Sequence, residues 1–407
     1  MISRTDRQKQ SITKWIRSGG KATIEACTGF GKTRLSLMLI TSLLKSNSKA
    51  SVLIVVPTEF LKEQWIDQLI EWDLIDNCKV EIINTVIRSE WTCDLLVIDE
   101  VHLTASDTFR KVFEVVQYSM ILCLTATLQR LDGKEVLIKQ YAPVCDSITL
   151  SEAQREGWVS PIKEYVVLLD VDLTEYKAWD QKFNGYFAYF NWDFNIAMRC
   201  STDWKFRNTY AKQMGLSPKD VLGMAMNWMR CMRKRKEFVM SHPKKLEVCK
   251  QILNARKDKK CITFSATIKD SEQLGVGQVL HSKQSKKKNA EIIKEFNEAE
   301  SGVLCTSKAA DQGVDIKGLS VGIIMSIDSS KIRKTQRTGR IIRFEEGKTA
   351  ELFTLVIRGT QEWRWFQNSN TSKNAIVLSE DQLKLVLSGE ELITRQRDQF
   401  EDTEFRF

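Results

Sequence analysis

Three short strings in this chain carry residue types that could do phosphate chemistry. ACTGFGKT at 26–33 places Gly29 and Gly31 where the backbone can curl its N–H groups onto phosphate oxygens. Lys32 then reaches the β- and γ-phosphates, and the Thr33 hydroxyl ligates magnesium. DEVH at 99–102 ends an apolar run, so Asp99 could hold the same cation while Glu100 acts as general base toward an attacking water. QRTGRIIR at 336–343 sets Arg340 and Arg343 three apart, on one face of a helix. An arginine aimed at a γ-phosphate contributes roughly 10³–10⁵ in hydrolysis rate. Ala26 replaces the first glycine of the general P-loop pattern, so the strand–loop–helix context carries that assignment. The arginine string lies roughly three hundred residues beyond the P-loop, far outside one mononucleotide-binding unit. A site assembled from two distant halves closes on ATP and opens after hydrolysis, which points to a motor.

Parallel strands must deliver these loops. ATIEAC (22–27), SVLIVVP (51–57), VEIIN (80–84), DLLVIDE (94–100) and MILCLTAT (120–127) are nearly all-apolar runs, as expected of strands buried on both sheet faces. Helical patterns at 33–45 and 58–72 alternate with them. The fold class is therefore α/β with doubly wound parallel sheets. The pattern restarts after about residue 240 with CITFSAT (261–267), GQVLHS (277–282), GVLCTS (302–307), VGIIMSI (321–327) and AELFTLVI (350–357), and no second P-loop. The expected domains are 1–170, an insertion at 171–240, 241–370, and a helical tail at 371–407. The insertion is mostly helical and crowded with aromatics, and it ends in the basic run RCMRKRKEF (230–238). Aromatics at helical spacing read chiefly as core, with fork contact or strand separation the lesser reading. For the basic run, a solvated face and phosphate contact by Arg233 and Arg235 stand about even.

A chain of 407 residues exceeds what one hydrophobic core usually supports. The net charge of +9 suggests a polyanionic partner without establishing one. The ten cysteines show no CxxC spacing, and with three histidines they argue against zinc or iron–sulfur. No signal peptide and no membrane-spanning stretch is visible, so a cytoplasmic protein is expected, in the host cytoplasm if viral.

RQKQSITKW (7–15), ACTGFGKT, VVPTEFLKEQW (55–65), DEVH, LTATLQRLDGK (124–134), REGWVSPIKEY (155–165), CTSKAADQGVDI (305–316) and QRTGRIIR follow one another in a specific order. Together they resemble superfamily 2 helicases, most closely the Rad25/XPB-type DNA helicases and their phage relatives, over most of the chain outside the insertion and tail. The resemblance implies two RecA-like domains forming an ATP cleft, with ATP and Mg2+ bound. Arg7, Gln10, Thr28, Gly29, Phe30, Gly31, Lys32, Thr33, Arg34, Gly313 and Asp315 would hold the nucleotide, Gln10 reading the adenine. Gln336, Arg340 and Arg343 would close on the γ-phosphate. His102, Thr125 and Thr127 would couple nucleotide state to domain movement, and Thr58, Ser265 and Thr306 would touch the nucleic-acid backbone. Two departures stand out: Leu128 replaces the proline that often follows TAT, and the weakly defined motif expected near 83–87 has no match. The leading expectation is a monomeric DNA helicase or translocase acting on single-stranded and forked or branched DNA, 3′-to-5′ by resemblance. A nucleic-acid-stimulated ATPase clamp that does not unwind, or an RNA helicase, remains open.

Overall fold

The structure, a computed structural model, describes residues 2–128, 133–281, 283–307, 316–327, 348–367 and 375–390. The chain divides into two compact units, 1–164 with 258–352, and 165–257 with 353–407.

The first unit begins with a six-stranded sheet of β1 (Lys21–Ala26), β2 (Val52–Val56), β3 (Cys78–Ile82), β4 (Trp91–Ile98), β5 (Val116–Thr125) and β6 (Val144–Ile148). Its order is β3-β2-β4-β5-β1-β6, and every pair is parallel. β2 is buried at all five positions, which its VLIVV composition permits because apolar β-branched side chains fill both faces of a covered sheet. The main connecting helices are α1 (Arg4–Arg17), α2 (Lys32–Ser46) and α3 (Glu59–Glu71), with short helices α4 (Ile83–Val86), α5 (Val112–Val115), α6 (Glu135–Lys139) and α7 (Leu150–Arg155). β5 lies between β1 and β4, so the loops after β1, β4 and β5 emerge at one carboxyl-terminal edge. That is where open α/β sheets bind ligands.

β6, which the sequence reading passed over, anchors α1 through a buried ion pair. Arg7 donates to both Asp146 carboxylate oxygens, at 2.6 and 3.1 Å, and to Glu152 at 3.2 Å. Lys14 and Ser11 also donate to Asp146, at 2.6 and 2.7 Å. Burial alone would push the Asp146 carboxyl up; the hydrogen bonds from Arg7, Lys14 and Ser11 outweigh it and hold it down at about 2. Arg7 is thus committed to the interior rather than to a nucleotide, a correction to its expected role. Its guanidinium is the buried partner of Asp146, whose second cation, Lys14, is half-exposed.

The remaining strands are β7 (Ile162–Leu169), β8 (Lys260–Phe264), β9 (Gln278–Leu280), β10 (Gly302–Thr306), β11 (Leu319–Ile324), β12 (Ala350–Ile357) and β13 (Ile376–Leu378). They form a seven-stranded sheet of order β13-β7-β12-β11-β8-β10-β9. The expected first domain ran through 170, yet β7 belongs to this second sheet. Residues 174–240 form α8 (Thr174–Ala188), α9 (Phe194–Thr202), α10 (Trp204–Met214) and α11 (Pro218–Met240). Their core is Phe190, Tyr210 and Trp228 with small residues Ala197, Cys200, Ala211 and Ala225. Phe183, Phe187 and Phe194 surround Trp228 with ring centroids 5.9, 5.4 and 5.4 Å away, so most of these aromatics pack inward. Arg235 is buried, bridging to Asp180 at 2.8 Å with its guanidinium 4.1 Å from the Phe183 ring. It cannot present itself to a phosphate; Arg233 on the same helix is exposed. Among the described residues no helix is long and apolar enough to cross a membrane.

The Asp146 cluster sets an acid limit. A folded-state value near 2 against about 3.9 unfolded means its contribution is full above pH ~4 and lost as pH falls through about 2. Asp146→Asn should cost about 3 kcal/mol at neutral pH, the usual penalty for breaking a buried charge pair, with Glu152 left as the remaining partner of Arg7. It should also flatten the loss of stability between pH ~4 and ~2, as read by urea unfolding followed by circular dichroism.

Candidate nucleotide site and its contact chain

The P-loop follows β1 and ends at Gly31, the left-handed residue preceding α2 (φ 92°). Gly29 is also left-handed, at φ 88°. The backbone angle favours glycine at Gly31, and a Cβ there would lie 2.8 Å from Gln8 Nε2 and displace that amide. Thr28, Gly29, Lys32 and Thr33 are partly accessible, and Lys32 Nζ donates to Ala26 O at 3.3 Å. Phe30 is fully buried, packed edge-on against Trp158 at 5.6 Å, and its N–H donates to Cys27 O at 3.2 Å, so it shapes the loop rather than facing a ligand.

Gln8, not Gln10, meets this loop. Gln8 is fully buried, and its Nε2 donates to the Phe30 and Gly31 carbonyls at 3.0 and 3.2 Å. Arg34 donates to Gln8 Oε1 at 2.7 Å and to Thr5 Oγ1 at 2.9 Å, fixing the amide from behind. Gln10 lies exposed two residues further along α1, which on a helix turns it away from Gln8's direction. The phase was readable: Trp15 is buried, and Gln8 lies seven residues before it on the same stripe, whereas Gln10 does not.

After β4, Asp99 is buried with both carboxylate oxygens held. Oδ1 accepts from the Glu100 N–H at 3.0 Å and Oδ2 from the Trp65 indole N–H at 3.1 Å. Burial first, then the adjacent Glu100 carboxylate, pushes the Asp99 carboxyl up to about 6 against the opposing effect of Lys32. A buried acid next to a second acid at a P-loop fits a divalent cation, which would favour the charged form. Trp65, on α3 and itself buried, was not singled out from the sequence because a tryptophan on a helix reads as core.

Glu100 adopts φ 53°, a left-handed conformation that costs a non-glycine residue about 1 kcal/mol or more. It turns the side chain toward His102. His102 Nδ1 lies 3.3 Å from Glu100 Oε2 and 3.2 Å from Thr125 Oγ1. Thr125 donates its hydroxyl proton to Thr127 O at 2.8 Å and accepts from Thr127 N–H at 3.2 Å. With that proton used, the network assigns the Nδ1 hydrogen to His102, donated to Thr125 Oγ1. Glu100, His102, Thr125 and Thr127 therefore form one chain joining the ends of β4 and β5. Leu128, the departure from TAT-Pro, donates its N–H to Glu25 Oε1 at 2.6 Å. Proline has no such hydrogen, so this fold uses the backbone group that the common residue lacks.

Thr58 caps α3 by accepting from Leu61 N–H at 3.3 Å and stays partly accessible. Ser265 and Thr306 do not face outward. The Thr306 hydroxyl donates to Thr263 O at 2.7 Å and that of Ser265 to Met325 Sδ at 3.3 Å, both within the second sheet. Both residues are buried on or next to its central strands, so their expected contacts with a nucleic-acid backbone are corrected. Gly313, Asp315, Gln336, Arg340 and Arg343 lie outside the described residues.

Two family models match in order along the chain. One is described as type III restriction enzyme, res subunit, over residues 1–87 and 87–130; the other is the helicase conserved C-terminal domain, over 244–345. The chain is 26% identical over 390 residues to "DNA 3'-5' translocase XPB2" of Sulfurisphaera tokodaii, covering 89% of this chain and 83% of that protein. A shorter stretch of 154 residues is 32% identical to a protein of African swine fever virus named "Putative ATP-dependent RNA helicase QP509L", covering 31% of this chain and 28% of that one. The fold is similar to that of the crystal structure of the Pyrococcus furiosus Hef helicase domain, with a TM-score of 0.54, 16% identity, and coverage of 91% of this chain and 100% of that one. With a P-loop, a strand-end acid pair and both domain models in this order, the chain is an ATP-hydrolysing superfamily 2 helicase of the Rad25/XPB-like type.

Proposed function

We propose that this protein couples Mg-ATP hydrolysis to 3′-to-5′ movement along single-stranded DNA and thereby unwinds or remodels forked or branched duplexes. The supporting observation is the run of contacts from Glu100, whose Oε2 lies 3.3 Å from His102 Nδ1, through the hydrogen bonds that join His102 to Thr125 and Thr125 to Thr127. A simple phosphate-binding domain has no need to tie its general base to the end of the next strand. The polarity and the DNA substrate are supported by the likeness to a protein named as a DNA 3′-5′ translocase.

When bound, Mg-ATP supplies the phosphoanhydride whose hydrolysis drives the cycle. In this reading the backbone at Gly29 and Gly31 and the Lys32 ammonium hold the phosphates, and the Thr33 hydroxyl and Asp99 carboxylate hold the metal. Gln8, braced by Arg34, takes the position expected of Gln10. The Glu100 carboxylate accepts a proton from the attacking water. Its change of charge is felt at His102 Nδ1–H and then at the Thr125 hydroxyl, so hydrolysis shifts the hydrogen bonding at the end of β5. Gly313, Asp315, Gln336, Arg340 and Arg343 are assigned to the nucleotide by their motif positions. Thr58 and Arg233 are accessible candidates for nucleic-acid phosphates.

ATP turnover measured with single-stranded DNA, forked DNA and RNA, beside strand displacement on the fork, tests the reading. Strongest stimulation by DNA with displacement is expected. Stimulation without displacement would point to a clamp, and preference for RNA to an RNA helicase. Glu100→Gln should lower turnover at least ~10²-fold, as loss of a general base does, while ATP affinity measured by equilibrium binding stays within a few-fold; Lys32→Ala should lose both. Trp65→Phe keeps the aromatic packing and removes only the donor to Asp99. It should raise the Mg2+ concentration needed for half-maximal turnover about tenfold, and weaken Mg2+-dependent thermal stabilisation beyond the small fall in metal-free melting that one lost buried hydrogen bond brings.

A further inference from the structure

Among the described residues, every exposed large aromatic falls between 189 and 204: Tyr189, Trp192, Phe194 and Trp204. The rings stand at the two ends of α9. We infer that this surface is a stacking platform for the bases of single-stranded nucleic acid. The inference rests on the proposed function and names where, outside the nucleotide-binding sheet, a strand would be held.

The rings are exposed but not loosely attached. Trp192 is 58% exposed, and its ring meets the edge of Phe187 at 5.5 Å. Phe194 is 52% exposed, and its ring meets the buried Trp228 at 5.4 Å. The turn carrying them is fixed by hydrogen bonds from Trp192 N–H to Phe187 O and from the Tyr210 hydroxyl to Tyr189 O. Asn191 and Trp192 sit consecutively in the left-handed region, at φ 51° and 60°. That conformation is unfavourable for a bulky side chain, and such strain persists where surrounding structure imposes it. A ring pre-positioned on a packed core loses little freedom when a base stacks on it.

Charge favours a polyanion as the occupant. Residues 172–240 hold twelve Lys and Arg against seven Asp and Glu. Arg199 lies on the exposed face of α9 with its guanidinium 3.8 Å from the Phe206 ring. Lys205 Nζ is 5.9 Å from the Trp204 ring. The acids here are engaged locally: Asp193 caps α9 through the Asn195 and Ile196 N–H groups, and Asp203 caps α10 through Phe206 N–H. Nine residues of helix span about 13 Å, a distance that a few nucleotides of extended strand can bridge. Unpaired bases are required, because a duplex keeps its base faces stacked internally. Base–aromatic stacking is insensitive to sequence, as a processive motor needs.

The experiment is binding of a short oligothymidylate and of its abasic counterpart, followed by fluorescence anisotropy, for wild type, Trp192→Ala/Trp204→Ala and Trp192→Phe/Trp204→Phe. The alanine pair should bind oligothymidylate at least tenfold more weakly at an unchanged salt slope. The phenylalanine pair should stay near wild type, and the abasic strand should not distinguish the three. Basal ATP turnover without nucleic acid and the thermal midpoint should match wild type, which separates lost stacking from misfolding. Arg199→Ala/Lys205→Ala should instead reduce the salt slope. Wild-type oligothymidylate affinity in the alanine pair overturns the platform and leaves a protein-facing patch. Failure of wild type itself to bind any oligonucleotide would overturn the proposed function instead.

Discussion

A parallel sheet exposes its loops for chemistry at one edge, and the site described above depends on that constraint. β5 separates β1 from β4 by one strand. The P-loop, the Asp99–Glu100 pair and the Thr125–Thr127 segment therefore emerge side by side from strands far apart in sequence. Within that edge the decisive contact is His102 Nδ1 between Glu100 Oε2 and Thr125 Oγ1. It requires Glu100 to adopt an unfavourable backbone angle, and the buried sheet beneath supplies the rigidity that maintains it. Strain of this kind is common where geometry serves function rather than stability.

The supporting parts follow from the same edge. Asp99 is held on both oxygens, by a backbone N–H and by Trp65, so its carboxylate cannot rotate freely. Gln8 and Arg34 brace the P-loop from α1 and α2, while Arg7 locks α1 to β6. α1 thus acts as a strap across the nucleotide loop, fastened by one buried ion pair.

Much of this was legible in the sequence. All-apolar runs of β-branched residues identified β1 to β5, and GKT and DEVH identified the loops after β1 and β4, because both signals are local. What escaped was what depends on facing. RQKQ offers two glutamines, and only helix phase relative to Trp15 selects Gln8. Ser265 and Thr306 occupy motif positions, but strand alternation and burial turn their hydroxyls into the sheet. Arg235 belongs to a basic run, yet one face of α11 is interior and its charge is neutralised by Asp180. β7 was missed because IKEYVVLL overlaps the motif string REGWVSPIKEY and its partners lie about two hundred residues later.

The helical segment shows the same division between inward and outward. Its aromatics pack round Trp228 as amphipathic helices should, and the exceptions gather at the ends of α9 rather than scattering. The central claim, however, is the chain of contacts from Glu100, the proposed general base, to the end of β5. A double-mutant cycle on DNA-stimulated ATP turnover, with His102→Ala, Thr125→Val and the pair, tests it most directly. If His102 and Thr125 act as one chain, the double variant loses little more than the worse single variant. Losses that multiply independently would contradict the account.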